Sequence, residues 1–435
     1  MQFNYKLVRI PLLFIIVSLK VSASDFGFTG EYIARSEFRN GYNQPIADSS
    51  DPGGFIAHRA RVEGFFETGP VKMFASLQDI RTWGAVPTTK TNDEFLSIYE
   101  AYLEATLFEG FSIKIGRQEL NYDNARFLGN LDWALQGRSH DFALAKYEIN
   151  EVNHLHGGFG FNQERQSLTA IPYSASQYQN AQFLRYEYNG EKLKLATMIW
   201  NNGVDKLNLD SSNANVSNYT TTIGLPWIKY DFGFIDLSGS YYHQLGENEF
   251  SKSVSAYQAM GQVGIDYEVV GNKARSVVGA EVLSGNTIGE DDITAFTPYY
   301  GTNHAHNGHI DYFYVNGRWM NSSGLIDIYY KGRVSITEEL FLQADFHYFN
   351  SHKPFVLDEA DDSGFGSESR YLGSEVDFVA SYSFSKELSF QGGYSRFFGS
   401  DNFLNLYSAH SPQQWAYFMI IFRPNGKSST IGIPI

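Results

Sequence analysis

Polar and apolar residues alternate with a period of two along most of this chain, in segments of about ten residues or more. That spacing puts successive side chains on opposite faces of a β-strand. In Ile98–Thr106, one face carries Glu100, Glu104 and Thr106 and the other Tyr99, Ala101, Leu103 and Ala105. Phe341–Tyr348 sets Gln343, Asp345 and His347 against Leu342, Ala344, Phe346 and Tyr348. Gly373–Phe384 sets Glu375 and Asp377 against Val376, Phe378, Ala380, Tyr382 and Phe384. The pattern predicts 18 strands, the first over 26–40 and the last over 413–423. Tight turns, such as Gly69-Pro70, Glu109-Gly110, Asn189-Gly190 and Val270-Gly271-Asn272, take turns with long polar stretches at 41–53, 122–137, 162–179, 286–320 and 351–370. Pro226, inside a predicted strand over 217–231, removes a ladder hydrogen bond and so predicts a bulge or a misplaced strand boundary there.

A soluble sandwich also alternates, but it packs its oily faces over a core and seldom strings so many strands in succession. An even strand count with short connections at one end and long ones at the other predicts an all-β transmembrane antiparallel barrel, with short periplasmic turns and long extracellular loops. The chain start agrees. Lys6 and Arg9, the apolar run Ile10–Leu19 and the small residues of Val21-Ser22-Ala23 read as a secretory signal peptide over 1–23. Residues 24–435 then form one outer-membrane barrel domain. Beyond the signal no apolar run reaches the roughly 18 residues of a spanning helix.

Composition narrows the chemistry. With no Cys, disulfide scaffolds, thiolate nucleophiles, zinc fingers and iron–sulfur clusters are excluded. Without the signal the chain carries 30 basic and 48 acidic residues, a net charge of −18, which excludes a basic nucleic-acid binder. The 35 Phe, 29 Tyr and 6 Trp suit the aromatic girdles of a barrel, with Tyr32, Trp83, Trp200, Tyr241, Trp319 and Trp415 as candidate members. No Gly-x-Ser-x-Gly elbow is present, so neither catalysis nor a cofactor is expected. Glu290-Asp-Asp292 and Asp358-Glu-Ala-Asp-Asp362 with Glu368 read as solvated loop faces in preference to calcium sites. His304, His306, His309 and Asp311 have a metal site's composition without a diagnostic spacing, and read as a structural or pore-constricting loop.

Several blocks carry a family resemblance: Arg59-Ala-Arg-Val-Glu-Gly64, Leu77-Gln-Asp-Ile-Arg-Thr-Trp-Gly84, Tyr99-Glu-Ala-Tyr-Leu-Glu104, Ile115-Gly-Arg-Gln-Glu-Leu-Asn-Tyr122, Arg126-Phe-Leu-Gly129, Asp132-Trp133 and Arg138-Ser-His-Asp141. In this order they resemble the bacterial alginate-export family of outer-membrane porins. Thr302–Phe313, with Asn303, His304, Gly308 and Asp311, is similar to that family's loop motif. The resemblance implies an 18-stranded barrel; the family's namesake passes a polyanionic polysaccharide, alginate, through an arginine-rich lumen, the match is not specific for the substrate, and Arg117 corresponds to a pore arginine.

From alternation and resemblance together, the expected pore-lining residues are Arg59, Arg61, Glu63, Arg81, Glu100, Glu104, Lys114, Arg117, Arg138, Asp345, Glu375 and Asp377. Strict alternation puts Arg117 with Ile113 and Ile115 on the lipid face, where a charge at mid-membrane costs about 2–4 kcal/mol. Gly116 is therefore expected to mark a bulge or a membrane boundary that frees Arg117 for the lumen. The alternative for each arginine is a salt bridge that holds the barrel wall, with Glu100, Glu104 and Glu119 as available partners. The expected function is passive conduction of anionic solutes or an alginate-like polysaccharide across the outer membrane, amid lipid and lipopolysaccharide. A general or nutrient-uptake porin is the alternative, and an anchor or adhesin with a plugged lumen the more distant one. One departure is that Phe422, an aromatic residue of the kind on which such barrels commonly end, is followed by thirteen more residues.

Overall fold

Eighteen antiparallel strands, each hydrogen-bonded to its neighbours and the last to the first, close into one barrel in the computed structural model. It describes residues 24–435 except 90–93, 170, 172, 174–177, 207–216, 288, 314–322, 357–367, 425–429 and 434. The signal peptide, Trp319 and the acidic run 358–362 lie outside the described residues. The strands are β1 (Ser24–Asn40), β2 (Gly53–Thr68), β3 (Val71–Thr82), β4 (Leu96–Phe108), β5 (Phe111–Gln118), β6 (His140–Glu148), β7 (Asn153–Phe161), β8 (Asn180–Asn189) and β9 (Leu193–Asp205). The second half holds β10 (Ser217–Asp231), β11 (Ile235–Glu247), β12 (Ser253–Val269), β13 (Asn272–Leu283), β14 (Leu325–Ser335), β15 (Leu340–Val356), β16 (Glu368–Ser383), β17 (Leu388–Gly399) and β18 (Gln413–Phe422). Among the described residues helix is confined to single turns at Asn303–Ala305 and Asp401–Asn405.

The connections sort as the sequence predicts. Two-residue turns such as 69–70, 109–110 and 270–271 lie at one end, with Gly69, Gly110 and Gly271 in the left-handed region that a tight hairpin needs. The long loops lie at the other end, where the five residues between β11 and β12 are the exception.

Closure is what the bilayer demands, since an unpaired N–H or C=O in hydrocarbon has no water to bond. Tyr32 shows how it is met: it pairs with Ala60 of β2 on one side and Phe422 of β18 on the other. The outward rows are apolar, with Val62, Leu103, Ile115, Leu184, Val278, Ile328, Phe346 and Phe378 exposed as a lipid belt requires. The inward rows are polar and enclosed, including Gln78, Gln118, Gln258, Gln343 and Gln391.

Two expectations about faces change. A register shift between Ser76/Glu100 and Leu77/Ile98 bulges β4 at Tyr99, so Tyr99 turns inward beside Glu100 and is buried against Arg61. Trp200 and Trp415, named for the girdle, are both fully buried inside the barrel. Trp200 packs with Phe142, Phe183 and Tyr300, and Trp415 with Trp133 and Tyr417. Their rings fill the gap between wall and inward loops. Tyr32, Trp83 and Tyr241 do stay on the outer surface. At Pro226 the pairing of β10 slips on both sides, between Gly224 and Trp227 toward β9 and between Gly224 and Ile228 toward β11. That is the bulge its missing donor predicts.

Val278, midway along β13 on the outer face, tests the belt. Val278→Arg is expected to lower unfolding stability in lipid vesicles by about 2–4 kcal/mol. An unchanged urea midpoint would place that row away from lipid.

Candidate functional site

Two of the long loops turn back into the lumen instead of rising from it. The segment 119–139, between β5 and β6, meets 284–313, which follows β13, and they join backbone to backbone: Gly129 N–H donates to Tyr300 O at 2.8 Å and Thr302 N–H to Ala125 O at 2.8 Å. The indole of Trp133 stacks on the His304 ring, with centroids 3.9 Å apart and planes 9° from parallel. His304 Nδ1 lies 2.9 Å from the Asp311 carboxylate, which also accepts the Tyr42 hydroxyl. Asn307, Gly308 and Asp311 all adopt positive φ. At Gly308 a Cβ would sit 2.7 Å from a Glu375 carboxylate oxygen, so the close approach there needs glycine.

Ion pairs pin this plug to the wall across the lumen. Arg126 grips Glu281 of β13 through two nitrogens, at 2.7 and 2.9 Å, and also donates to Asn307 at 2.8 Å. On the opposite side Arg59 of β2 reaches Glu31 of β1 at 2.6 Å and Asp132 of the loop at 2.7 Å. Arg423 repeats both contacts, at 2.5 Å to Glu31 and 2.9 Å to Asp132. Arg35 donates to Trp133 O at 2.8 Å, and Arg185 pairs with Asp123 at 2.6 Å. Burial alone would raise the Asp132 carboxyl, but the guanidiniums of Arg59 and Arg423 outweigh it and hold the group at about 2. His309 is pushed down to about 3, because its burial outweighs the pull of Asp377. Burial likewise sends His306 well below the usual imidazole range. Both rings are therefore neutral at pH 7.

Two cavities flank the plug. One of about 480 Å³ is lined by Asp123, Asp132, Trp227, Lys229, Glu281 and Lys331, among others. The second, about 400 Å³, lies toward the long-loop end against Arg35, Glu37, Arg39, Tyr42, Trp133 and Asp311.

The residues expected to line the pore divide into five groups. Arg59 and Arg61 project inward, yet Arg59 is wholly enclosed under the plug and Arg61 bonds Gln78. Glu63, Glu104 and Lys114 face inward from the half nearer the short turns, with Glu104 paired to Lys146 at 2.9 Å, and Glu100 faces inward nearer the plug, accepting the Glu119 N–H at 2.9 Å. Asp345, Glu375 and Asp377 also face inward but are sealed: Glu375 accepts the Ile310 N–H at 2.8 Å, and His309 stands 3.8 Å from Asp345 and 3.9 Å from Asp377. Arg138 sits in the plug, donating to Gly301 O at 3.0 Å.

Arg81 and Arg117 do not face the lumen. The register runs without a shift through Gly116, so Arg117 falls in line with Ala101 and Asp141 on the outer face, where it pairs with Asp141 at 3.0 Å. Gly116 has positive φ but inserts no residue, and Arg117 lies one residue from the long-loop end of β5, where charge is tolerated. Arg81 shares the outer row of β3 with its ion partner Asp79, opposite His58 of β2. Among the described residues no three His, Asp or Glu side chains converge as metal ligands, and the His304 ring is engaged by Asp311 and Trp133.

Alternation could not single out Arg126, Asp132, Glu31, Glu281 and Arg423, whose partners are far apart in sequence. Arg126 and Asp132 do fall in the blocks that carry the family resemblance. The model of the alginate-export family matches residues 26–416, nearly the whole barrel.

The chain belongs to the alginate-export family. No curated protein sequence matches it significantly. Among solved structures it is similar to OccAB4 of Acinetobacter baumannii (TM-score 0.59, 10% identity, 93% of this chain and 98% of that one). OpdL of Pseudomonas aeruginosa scores 0.59 at 10% identity, covering 92% and 98%. OccK1 (OpdK) of the same organism scores 0.55 at 10% identity, covering 91% and 98%. These likenesses establish the fold, an 18-stranded outer-membrane barrel, and with the family they make this alginate-export chain an outer-membrane channel.

The Asp132 anchor has a defined pH window. A carboxyl held below its unfolded value of about 3.9 stabilises the fold above that pH and loses the effect as pH falls through its folded value. The stability that the wild type holds over Asp132→Asn is thus expected to be constant above roughly pH 5 and to fade as pH falls toward about 2. Urea midpoints of both proteins in vesicles across this range check it. A difference independent of pH would rule out the ion-pair anchor.

Proposed function

We propose that this channel passes anionic solutes or an acidic polysaccharide by passive diffusion, with selectivity set where the two cavities meet the plug. The observation that carries this is a set of cationic side chains that do not each have a carboxylate of their own. At the long-loop end, Arg35 and Arg39 both pair with the single carboxylate of Glu37, at 2.8 and 2.9 Å, and Arg39 remains more than a third exposed toward the cavity. In the larger cavity Asp123, Asp132 and Glu281 each have an arginine partner. Lys331 has no carboxylate within ion-pair distance among the described residues, and its Nζ reaches only Ala305 O at 3.4 Å. Cationic side chains that lack a carboxylate of their own, set in a confined polar path, favour anions. The reading includes removal of Met1–Ala23 on export, lipid and lipopolysaccharide around the apolar belt, and a conduit with no catalytic step.

A general or nutrient-uptake porin is the second reading, favoured by the thorough pairing of Arg59, Arg126, Arg185 and Arg423. Zero-current potential across a planar bilayer under a salt gradient separates the two. The anion reading predicts anion selectivity that shifts toward cations in an Arg39→Ala/Lys331→Ala double variant, and block by an anionic oligosaccharide. Cation selectivity indifferent to those substitutions would leave the general porin.

A further inference from the structure

We propose that the outer leaflet is drawn down against β5 and β6, so that the phosphate-bearing headgroups of its lipid reach Arg117 and Asp141 on the outside of the barrel. The wall is low there. β5 has 8 residues and β6 has 9, against 17 in β12, 12 in β13 and 11 in β14 on the far side of the ring. At the tilt of barrel strands, eight residues stand roughly 20 Å tall and twelve roughly 30 Å, against an apolar band of about 25 Å. The connection above β5 and β6 adds no height outside, because 119–139 turns into the lumen.

The outward rows follow the wall. β5 and β13 both leave two-residue turns at the short-turn end, so their residues compare rung by rung. The seventh residue of β13 is Val278, and its outward row stays apolar through Ala280 and Val282, which pair with Gly261, Ile328, Ala259 and Ile326. The seventh residue of β5 is Arg117. It faces outward with Asp141 at 3.0 Å, and the two side chains are 41% and 61% exposed. The polar level resumes past β7, where Asn201 of β9 donates to Gln182 of β8 at 2.7 Å and accepts from Thr221 of β10 at 2.8 Å, all on the outer face. Phe161 of β7 presents between them an exposed ring of the kind that marks where a belt meets headgroups.

A bilayer of uniform thickness would set the Arg117–Asp141 pair in hydrocarbon on the rung of Val278, a costly place for either charge. A leaflet that thins to meet the shorter belt removes that cost, which is the ordinary response to hydrophobic mismatch. Arg117 then stands among headgroups. Among the described residues its guanidinium bonds only Asp141, through Nη1, and its other N–H groups keep the planar fork that suits a phosphate. The register keeps the pair on the outer face, away from the lumen, so the phosphate it meets is carried by lipid. This holds whichever solute the channel passes.

Because the protein has no native Cys, single nitroxide labels can report depth on each side. Ala101→Cys on β4, paired with Arg117, and Ala280→Cys on β13 both put the label on the exposed outer face. Ala280 stands two residues farther from its turn than Arg117 does, so a uniform belt would make it the shallower site. In vesicles containing lipopolysaccharide the proposal predicts the reverse, with the Ala101→Cys label colliding roughly threefold or more as often with a water-soluble nickel chelate, and the Ala280→Cys label favouring oxygen. The opposite order would overturn it, and so would an Ala101→Cys label shielded from both probes, the mark of a protein partner. Arg117→Gln, with folding checked by heat-shifted mobility, is expected to keep roughly half or less of the phosphorylated glycolipid that the wild type carries through detergent extraction. Equal retention, or loss of the wild-type lipid on adding inorganic phosphate, would overturn the headgroup contact.

Discussion

Pairing of β1 with β18 is the constraint from which the rest of this molecule follows. In hydrocarbon every strand must find its hydrogen-bond partners within the protein, and a sheet can do so only by closing on itself. The nine residue pairs from Tyr32–Phe422 to Asn40–Gln414 make that closure. Closure at eighteen strands fixes a circumference, and with it a lumen wider than side chains alone can fill. A bare barrel of this size is an open hole, so any control of passage has to come from chain brought inside.

That chain is brought in by polar chemistry. Ion pairs enclosed in a protein are poor sources of net stability, because each charge gives up its hydration. They are strong determinants of position, since leaving one partner alone is far costlier than keeping both. Glu31, Arg59, Asp132 and Arg423 form one such group, joining β1, β2, an inward loop and the segment after β18. Arg126, Glu281, Asn303 and Asn307 form another on the opposite wall. Between them Trp133, His304 and the surrounding rings make close apolar contacts that would be out of place in an open aqueous pore.

The architecture was largely legible in the sequence because a strand's period of two needs no knowledge of its partners. Asp345 and Phe346 declare opposite faces wherever the strand ends up. Even the irregularity at Pro226 was readable, since a missing N–H is a property of that residue alone. What failed was anything that depends on height in the membrane or on distant neighbours. Arg117 obeys its alternation and sits outward near the rim with Asp141, so the bulge expected to move it was unnecessary. Arg81 has the same explanation with Asp79. Tyr99 broke parity because β3 and β4 slip by one residue there, which only the pairing reveals. Trp200 and Trp415, candidates for the girdle, pack instead on loops that return from far along the chain. For the same reason the arginines could be named while their roles as plug anchors could not.

The narrowing of the lumen belongs to the inward loops and not to the barrel wall. The most direct measurement is single-channel conductance of the intact chain beside one in which residues 123–135 are replaced by a short glycine–serine turn, with both barrels shown to be folded by heat-shifted electrophoretic mobility. Small currents are expected from the intact protein and the large steady current of an open eighteen-stranded pore from the shortened one. Equal currents from the two would contradict it.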